Sequence, residues 1–157
     1  MKIFEFDCET TGTEVGTHEI VELSYRIQID RVDKFAETLY FRPTKFDTIS
    51  EKALEVTGKT VEELKTYPPR EESFVILLKT LNKYINKFDK KDKFIVLGYN
   101  VQFDLLFLRE LFEDLKDKYD AWFGSYFIWY TNEPRIDPFP FLQMYAVKYE
   151  LKLENWK

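Results

Sequence analysis

Residues 20–29, IVELSYRIQI, alternate apolar and polar side chains over ten positions. Val21, Leu23, Tyr25, Ile27 and Ile29 fall on one face, and Glu22, Ser24, Arg26 and Gln28 on the other. That period of two is the pattern of a strand with one buried face, and a helix cannot satisfy it. Ile3 to Glu9 reads as a strand before it, with residues 3, 5, 7 and 9 opposite Phe4, Phe6 and Cys8. DKFAETLYFRP (33–43) follows with Phe35, Leu39 and Phe41 before Pro43 ends the run. Three strands in succession with short connections predict an antiparallel meander.

Helical signals then take over. ISEKALEVTG (49–58) has Ser50 as N-cap and Gly58 as its stop, and Thr60 to Glu63 forms a capping box for a second helix. After Pro68 and Pro69, apolar residues at 74, 77, 78, 81, 84, 85 and 88 recur at helical spacing. KFIVLGYN (93–100) reads as a strand buried on both faces. Val101 to Tyr119 is predicted as a helix with Phe107, Leu108, Leu111, Phe112 and Leu115 inward. SYFIWY (125–130) is a candidate strand, TNEPRIDPFP (131–140) is rich in turns, and FLQMYAVKYELKLENW (141–156) has amphipathic helical texture. The elements describe an α/β domain with a mixed sheet. With 157 residues, no internal repeat and no linker, the chain is read as one domain over 1–157.

Composition narrows the partners. A net charge of −5 argues against a broad basic surface that coats nucleic acid, though not against a short grip through metal ions. One cysteine, Cys8, excludes an internal disulfide and suits a reducing compartment. Glu5 and Asp7 interrupt any signal-peptide core, and no apolar run is long enough for a membrane span. The expectation is a soluble, cytoplasmic protein without a membrane partner.

The first strand ends in FDCETTG (6–12), where Asp7 and Glu9 project the same way, about 7 Å apart. Two readings stand: a solvated strand end, or a site for a hard cation such as Mg²⁺ or Mn²⁺. Asp104 falls in the first turn of the helix after the fourth strand, where a carboxylate suits the helix dipole. Its neighbours Phe103, Leu105 and Leu106 argue that it is not simply exposed. Together, the three carboxylates would make an oxygen cage that favours a divalent ion.

These segments resemble a known family. FDCETTG is similar to the first motif of the DEDD-type, DnaQ-like 3′–5′ exonucleases, whose fold is ribonuclease-H-like. HEIVELS (18–24) resembles the family's second strand, and ISEKALEVTGKTVEEL (49–64) the link from its third strand to the next helix. VLGYNVQFDLLFL (96–108) resembles the second motif, and LKLENW (151–156) the approach to its C-terminal region. The resemblance implies three antiparallel strands plus parallel strands, flanked by helices. It implies that Asp7 and Glu9 bind a pair of Mg²⁺ or Mn²⁺ ions, and that Asp104 holds the second ion directly or through water. Thr10, Thr11 and Gly12 would lie against the terminal nucleotide, Phe103 near its base, and Asn100 would brace the turn. The implied activity is two-metal hydrolysis of phosphodiesters at single-stranded DNA or RNA 3′ ends.

The match has a gap. The family carries a fourth aspartate on a C-terminal helix, preceded by a histidine or tyrosine that acts on the attacking water, and LKLENWK stops short of it. Asp137, Glu150 and Glu154 are weak substitutes, and His18, the sole histidine, reads as an ordinary loop residue. Tyr99 replaces the family's frequent histidine, and Thr13 a frequent leucine. Three accounts remain open: a fragment of a longer enzyme, one part of a split exonuclease, or an impaired descendant that binds nucleic acid or protein without catalysis. A domain lacking that C-terminal helix should expose apolar surface around its first and fourth strands, unless the tail refolds over it or a second polypeptide or another copy covers it. The 18% aromatic content is read mainly as core, and NKFDKKDK (86–93) as a solvated turn.

Overall fold

The computed structural model describes residues 1–128 of the chain. Four strands, β1 (Lys2–Thr10), β2 (Ile20–Ile29), β3 (Val32–Tyr40) and β4 (Ile95–Leu97), form one sheet in the order β3-β2-β1-β4. The first three pair antiparallel and β4 joins β1 in parallel, so the sheet is mixed as the sequence predicts. The helices are α1 (Glu51–Thr57), α2 (Val61–Thr66), α3 (Arg70–Tyr84) and α4 (Val101–Tyr119).

The caps behave as their residue types dictate. Ser50 accepts the Ala53 N–H at the start of α1, and Gly58 ends it with a φ of 68°. Thr60 accepts the Glu63 N–H to open α2. Helices α3 and α4 cover one sheet face, where the alternation of β1 and β2 delivers Phe4, Phe6, Leu23, Tyr25 and Ile27 to meet Phe74, Leu77, Leu108 and Phe112. Phe74 and Phe112 meet edge to face at 5.0 Å, and Phe4 stacks on Tyr25 at 5.0 Å. All five residues named for the inner side of α4 are buried. A smaller cluster of Val21, Leu64 and Tyr67 seats α2 on the end of β2.

Three expectations need correction. The 93–100 run yields a three-residue strand in which Val96 is buried while Ile95 and Leu97 are only half-buried. It pairs with β1, while Phe94 just before it donates to the Tyr126 carbonyl and accepts the Ile128 N–H. The helical spacing through residue 88 overruns α3, which stops at Tyr84. Ile85 is extended, and the Asp92 carboxylate accepts the Asn86 N–H to start a turn that leaves Phe88 83% exposed. Residues 123–125 form a 3₁₀ turn, and strand-like pairing begins only at Phe127, which bridges in parallel to Phe94. The remaining residues of SYFIWY, the turn-rich stretch, the amphipathic tail, Asp137, Glu150 and Glu154 lie outside the described residues.

The second sheet face is polar. Across β1, β2 and β3 it carries Glu5–Arg26–Ala36, then Asp7–Ser24–Thr38, then Glu9–Glu22–Tyr40 in direct register. Around β1 and β4, Ile3 is buried, its ladder partner Ile95 and the nearby Leu97 are half-buried, and the next three β1 side chains on that face are carboxylates. Among the described residues, no helix is long and apolar enough to cross a membrane.

Candidate active site

Three elements meet at the C-terminal end of β1. Asp7 and Glu9 extend from its polar face, Asp7 exposed and Glu9 half-buried. Asp104 reaches them from the first turn of α4 and is 5% exposed. Its Oδ1 accepts the Cys8 N–H at 3.0 Å, so its carboxylate is fixed to the backbone between the two β1 acids. Residues almost a hundred positions apart are therefore joined by one buried hydrogen bond. The close fit of β1 to the segment after β4 depends on Gly98, where a Cβ would lie 2.8 Å from the Phe6 carbonyl oxygen.

The electrostatics show carboxylates crowded together. Burial pushes the Asp104 pKa up to about 7 against the pull of the Cys8 N–H, with the Asp7 and Glu9 charges adding to the rise. Asp7 rises through loss of hydration and then the Glu22 charge. Glu9 rises through loss of hydration, Asp7 and Glu22, with Lys59 opposing. The Cys8 thiol is driven well up by burial and then by all three acids, which makes it unreactive.

Among the described residues, no group of three or more His, Cys, Asp or Glu side chains is assembled to hold a metal ion as it stands. The donor set still fits a hard divalent cation. It is all oxygen, and its members raise one another's proton affinity, a repulsion that a cation relieves. Mg²⁺ needs only one or two carboxylates when waters and substrate phosphates complete its shell.

A pocket of about 320 Å³ opens beside Glu9. Glu9, Thr10, Gly12 and Phe103 line it, facing Ala53 and Val56 of α1. Thr10, Gly12 and Phe103 thus share this pocket with Glu9. The Phe103 ring leans on Phe107 at 4.9 Å. Thr11 does not line the pocket: it is 2% exposed, its hydroxyl accepts the Glu19 N–H, and its carbonyl accepts the Ser50 N–H. Its observed contacts tie the loop after β1 to β2 and α1. Gly12 has a steric reason of its own, because a Cβ there would fall 2.3 Å from the His18 ring. His18 accepts the Glu14 N–H through Nδ1 and supports this loop. Asn100 sits just before α4 in the left-handed region, φ 53°, at the turn the sequence assigns it.

Sequence reasoning missed two carboxylates. Glu19, 5% exposed, accepts from Thr44 N–H, Thr44 Oγ1, Lys45 N–H and Arg70, and pins the loop between β1 and β2. Glu22 lies directly across from Glu9 and pairs with Lys59 at 2.6 Å. The alternation of β2 marks Glu22 as outward, but only the strand register shows that it faces Glu9.

With this geometry in view, the comparisons are specific. The exonuclease family model of RNase T type matches residues 4–133. No curated protein matches the chain. Solved structures align over nearly its whole length. The metal-free form of an Escherichia coli ExoI–ssDNA complex has TM-score 0.63, 22% identity, and coverage of 98% of this chain and 31% of that one. Exonuclease I from Methylocaldum szegediense gives 0.63 and 18%, covering 92% and 29%. The zinc-bound form of the E. coli complex gives 0.63 and 21%, covering 98% and 30%. The chain spans less than a third of the length of these proteins, and at such identities the likeness establishes the ribonuclease-H-like fold alone. The family model, which takes in both acidic motifs and the strands and helices that carry them, shows that this chain belongs to the DEDD-type, DnaQ-like exonuclease family.

Proposed function

We propose that the chain carries a metal-dependent 3′–5′ exonuclease site that hydrolyses phosphodiesters at single-stranded DNA or RNA 3′ ends. The observation that supports this reading is the bond from Cys8 N–H to Asp104, which ties a third carboxylate to the backbone of β1 between Asp7 and Glu9. Asp7 and Glu9 would hold Mg²⁺ or Mn²⁺, and Asp104 a second ion directly or through water. When bound, such a pair supplies an activated water and charge for the leaving 3′ oxygen. The residues around the acids do the positioning. Thr10 Oγ1 donates to the Gly12 carbonyl and shapes the loop against the sugar-phosphate. Phe103 offers a ring face to the terminal base, and Ala53 and Val56 close the opposite wall. The single-stranded DNA in the exonuclease I complex favours an unpaired end as substrate.

The test is a 5′-labelled single-stranded oligonucleotide, DNA and RNA in parallel, incubated with the 157-residue chain and Mn²⁺. Stepwise shortening that Glu9→Ala abolishes supports the enzyme. Retention of the label on the protein without shortening supports a binding module. Shortening that starts only when a polypeptide carrying a His-x₄-Asp helix is added supports one part of a split exonuclease. Mn²⁺ binding no tighter than that of Asp7→Ala would sink the site assignment.

A further inference from the structure

The polar sheet face carries Glu5, Asp7, Glu9 and Glu22, of which Glu5 is ion-paired with Arg26 and Glu22 with Lys59. Glu22 and Glu9 are direct cross-strand neighbours, an arrangement of like charges that opposes pairing. Lys59 donates to Glu22 Oε2 at 2.6 Å, and their side chains are 11% and 22% exposed. The ammonium is held on several sides. It lies 5.7 Å from the centres of the Tyr40 and Tyr67 rings, and it donates to Tyr67 Oη at 3.3 Å. Tyr67 in turn donates to Glu63, and Tyr40 sits across from Glu22 on β3. Its backbone is also fixed, because residue 59 lies between Gly58, which ends α1, and Thr60, which caps α2. A lysine this restrained loses the mobility that makes most surface ion pairs worth little.

We propose that Lys59 is a positioning residue which serves as a built-in counter-charge for Glu22, leaving Asp7, Glu9 and Asp104 as the carboxylates available to a divalent cation. This rests on the cation-site reading above. A protein charge assigned to Glu22 sets the net charge that the cation meets, and it keeps the β1–β2 ladder intact at the Glu9–Glu22 pair. The same residue links the acidic site to α1, whose side chains wall the pocket.

The experiment measures Mn²⁺ affinity by electron paramagnetic resonance at pH 7.5, without nucleic acid, together with the melting temperature of each variant. Lys59→Met keeps an unbranched stem between the two rings and removes the charge; it should bind Mn²⁺ about fivefold to tenfold more tightly, because Glu22 then adds its full charge to the site. Glu22→Gln leaves Lys59 uncompensated and should bind more weakly by a similar factor. Lys59→Met/Glu22→Gln should return to within about twofold of wild type, and Lys59→Arg should hardly differ from it. Structural damage weakens binding and cannot tighten it. A Lys59→Met variant that binds more weakly or unchanged overturns the proposal, as does a double variant no nearer to wild type than either single one. Wild type that binds no better than Asp7→Ala removes the cation site itself, and this role with it; wild type that binds while Lys59→Met and Glu22→Gln leave affinity unmoved removes the Lys59 role alone.

Discussion

Replacing Asp104 by Asn should stabilise the metal-free protein while destroying metal-dependent activity. Asp104 is 5% exposed, and its carboxyl moves from an ordinary 3.8 to about 7 on folding. At 1.36 kcal/mol per pH unit, that change costs about 4 kcal/mol wherever the group is ionised in both states. The sign follows from proton binding. Between pH 4 and 7 the folded chain holds this proton more tightly than the unfolded chain, so stability falls as pH rises through that window and then levels off. Asn keeps an oxygen that can accept the Cys8 N–H now bonded to Asp104, and it carries no charge. The gain of Asp104→Asn over wild type should therefore be about 4 kcal/mol at pH 8, about 2 kcal/mol at pH 5, and near zero below pH 4. Urea unfolding in the presence of EDTA reads this directly, as a midpoint shift of about 2 M at pH 8 for a slope near 2 kcal/mol/M. Added Mn²⁺ should stabilise wild type and leave the variant largely unmoved. A gain below about 1 kcal/mol at pH 8, or one equal at pH 5 and pH 8, would refute the argument that this buried charge opposes folding.

Three further outcomes follow from the loop and the pocket. Glu19→Ala strands the Thr44 and Lys45 amides and leaves Arg70 only Asp114 of its two carboxylate partners, and should cost about 1–3 kcal/mol in denaturant unfolding. Gly12→Ala places a methyl group against the His18 ring and should lower oligonucleotide shortening; Gly12→Ala/His18→Ala should recover part of it, since the obstruction is that ring. Phe103→Ala removes the aromatic wall and should weaken oligonucleotide binding by about 1–3 kcal/mol in a fluorescence titration, with little change in melting temperature because the ring is only partly buried.

The meander and the order of helices were legible because their signals are local. Ten alternating residues define β2, Ser50 and Thr60 start α1 and α2 through bonds that span three residues, and Gly58 ends α1 by its left-handed backbone. Signals that depend on a neighbouring element misled. The apolar run 93–100 carries no mark of where its strand begins and ends, and the spacing through Phe88 does not show that Asp92 turns the chain after Tyr84. Thr11 belongs to the same motif as Thr10 and Gly12, but its role in the loop follows from Glu19 and Ser50, which the motif does not contain.

The same distinction separates the acids from the groups that govern them. Asp7 and Glu9 could be paired from a spacing of two, and Asp104 could be added from its place after the fourth strand. What sets their charge is cross-strand and cross-helix: Glu22 is opposite Glu9 because of register, and Lys59 reaches Glu22 because α1 and α2 close over the end of β2. A motif therefore identifies the oxygens and leaves their electrostatics open. Burial, repulsion and one lysine decide how much of that repulsion is left for a cation to relieve. The relief is the difference between a costly apo fold and a tightly bound ion, so stability gained by neutralising Asp104 should be affinity lost. The two measurements, unfolding without metal and Mn²⁺ binding, must then move in opposite directions across Asp104→Asn and Lys59→Met, and a variant that improved both would break the link between them.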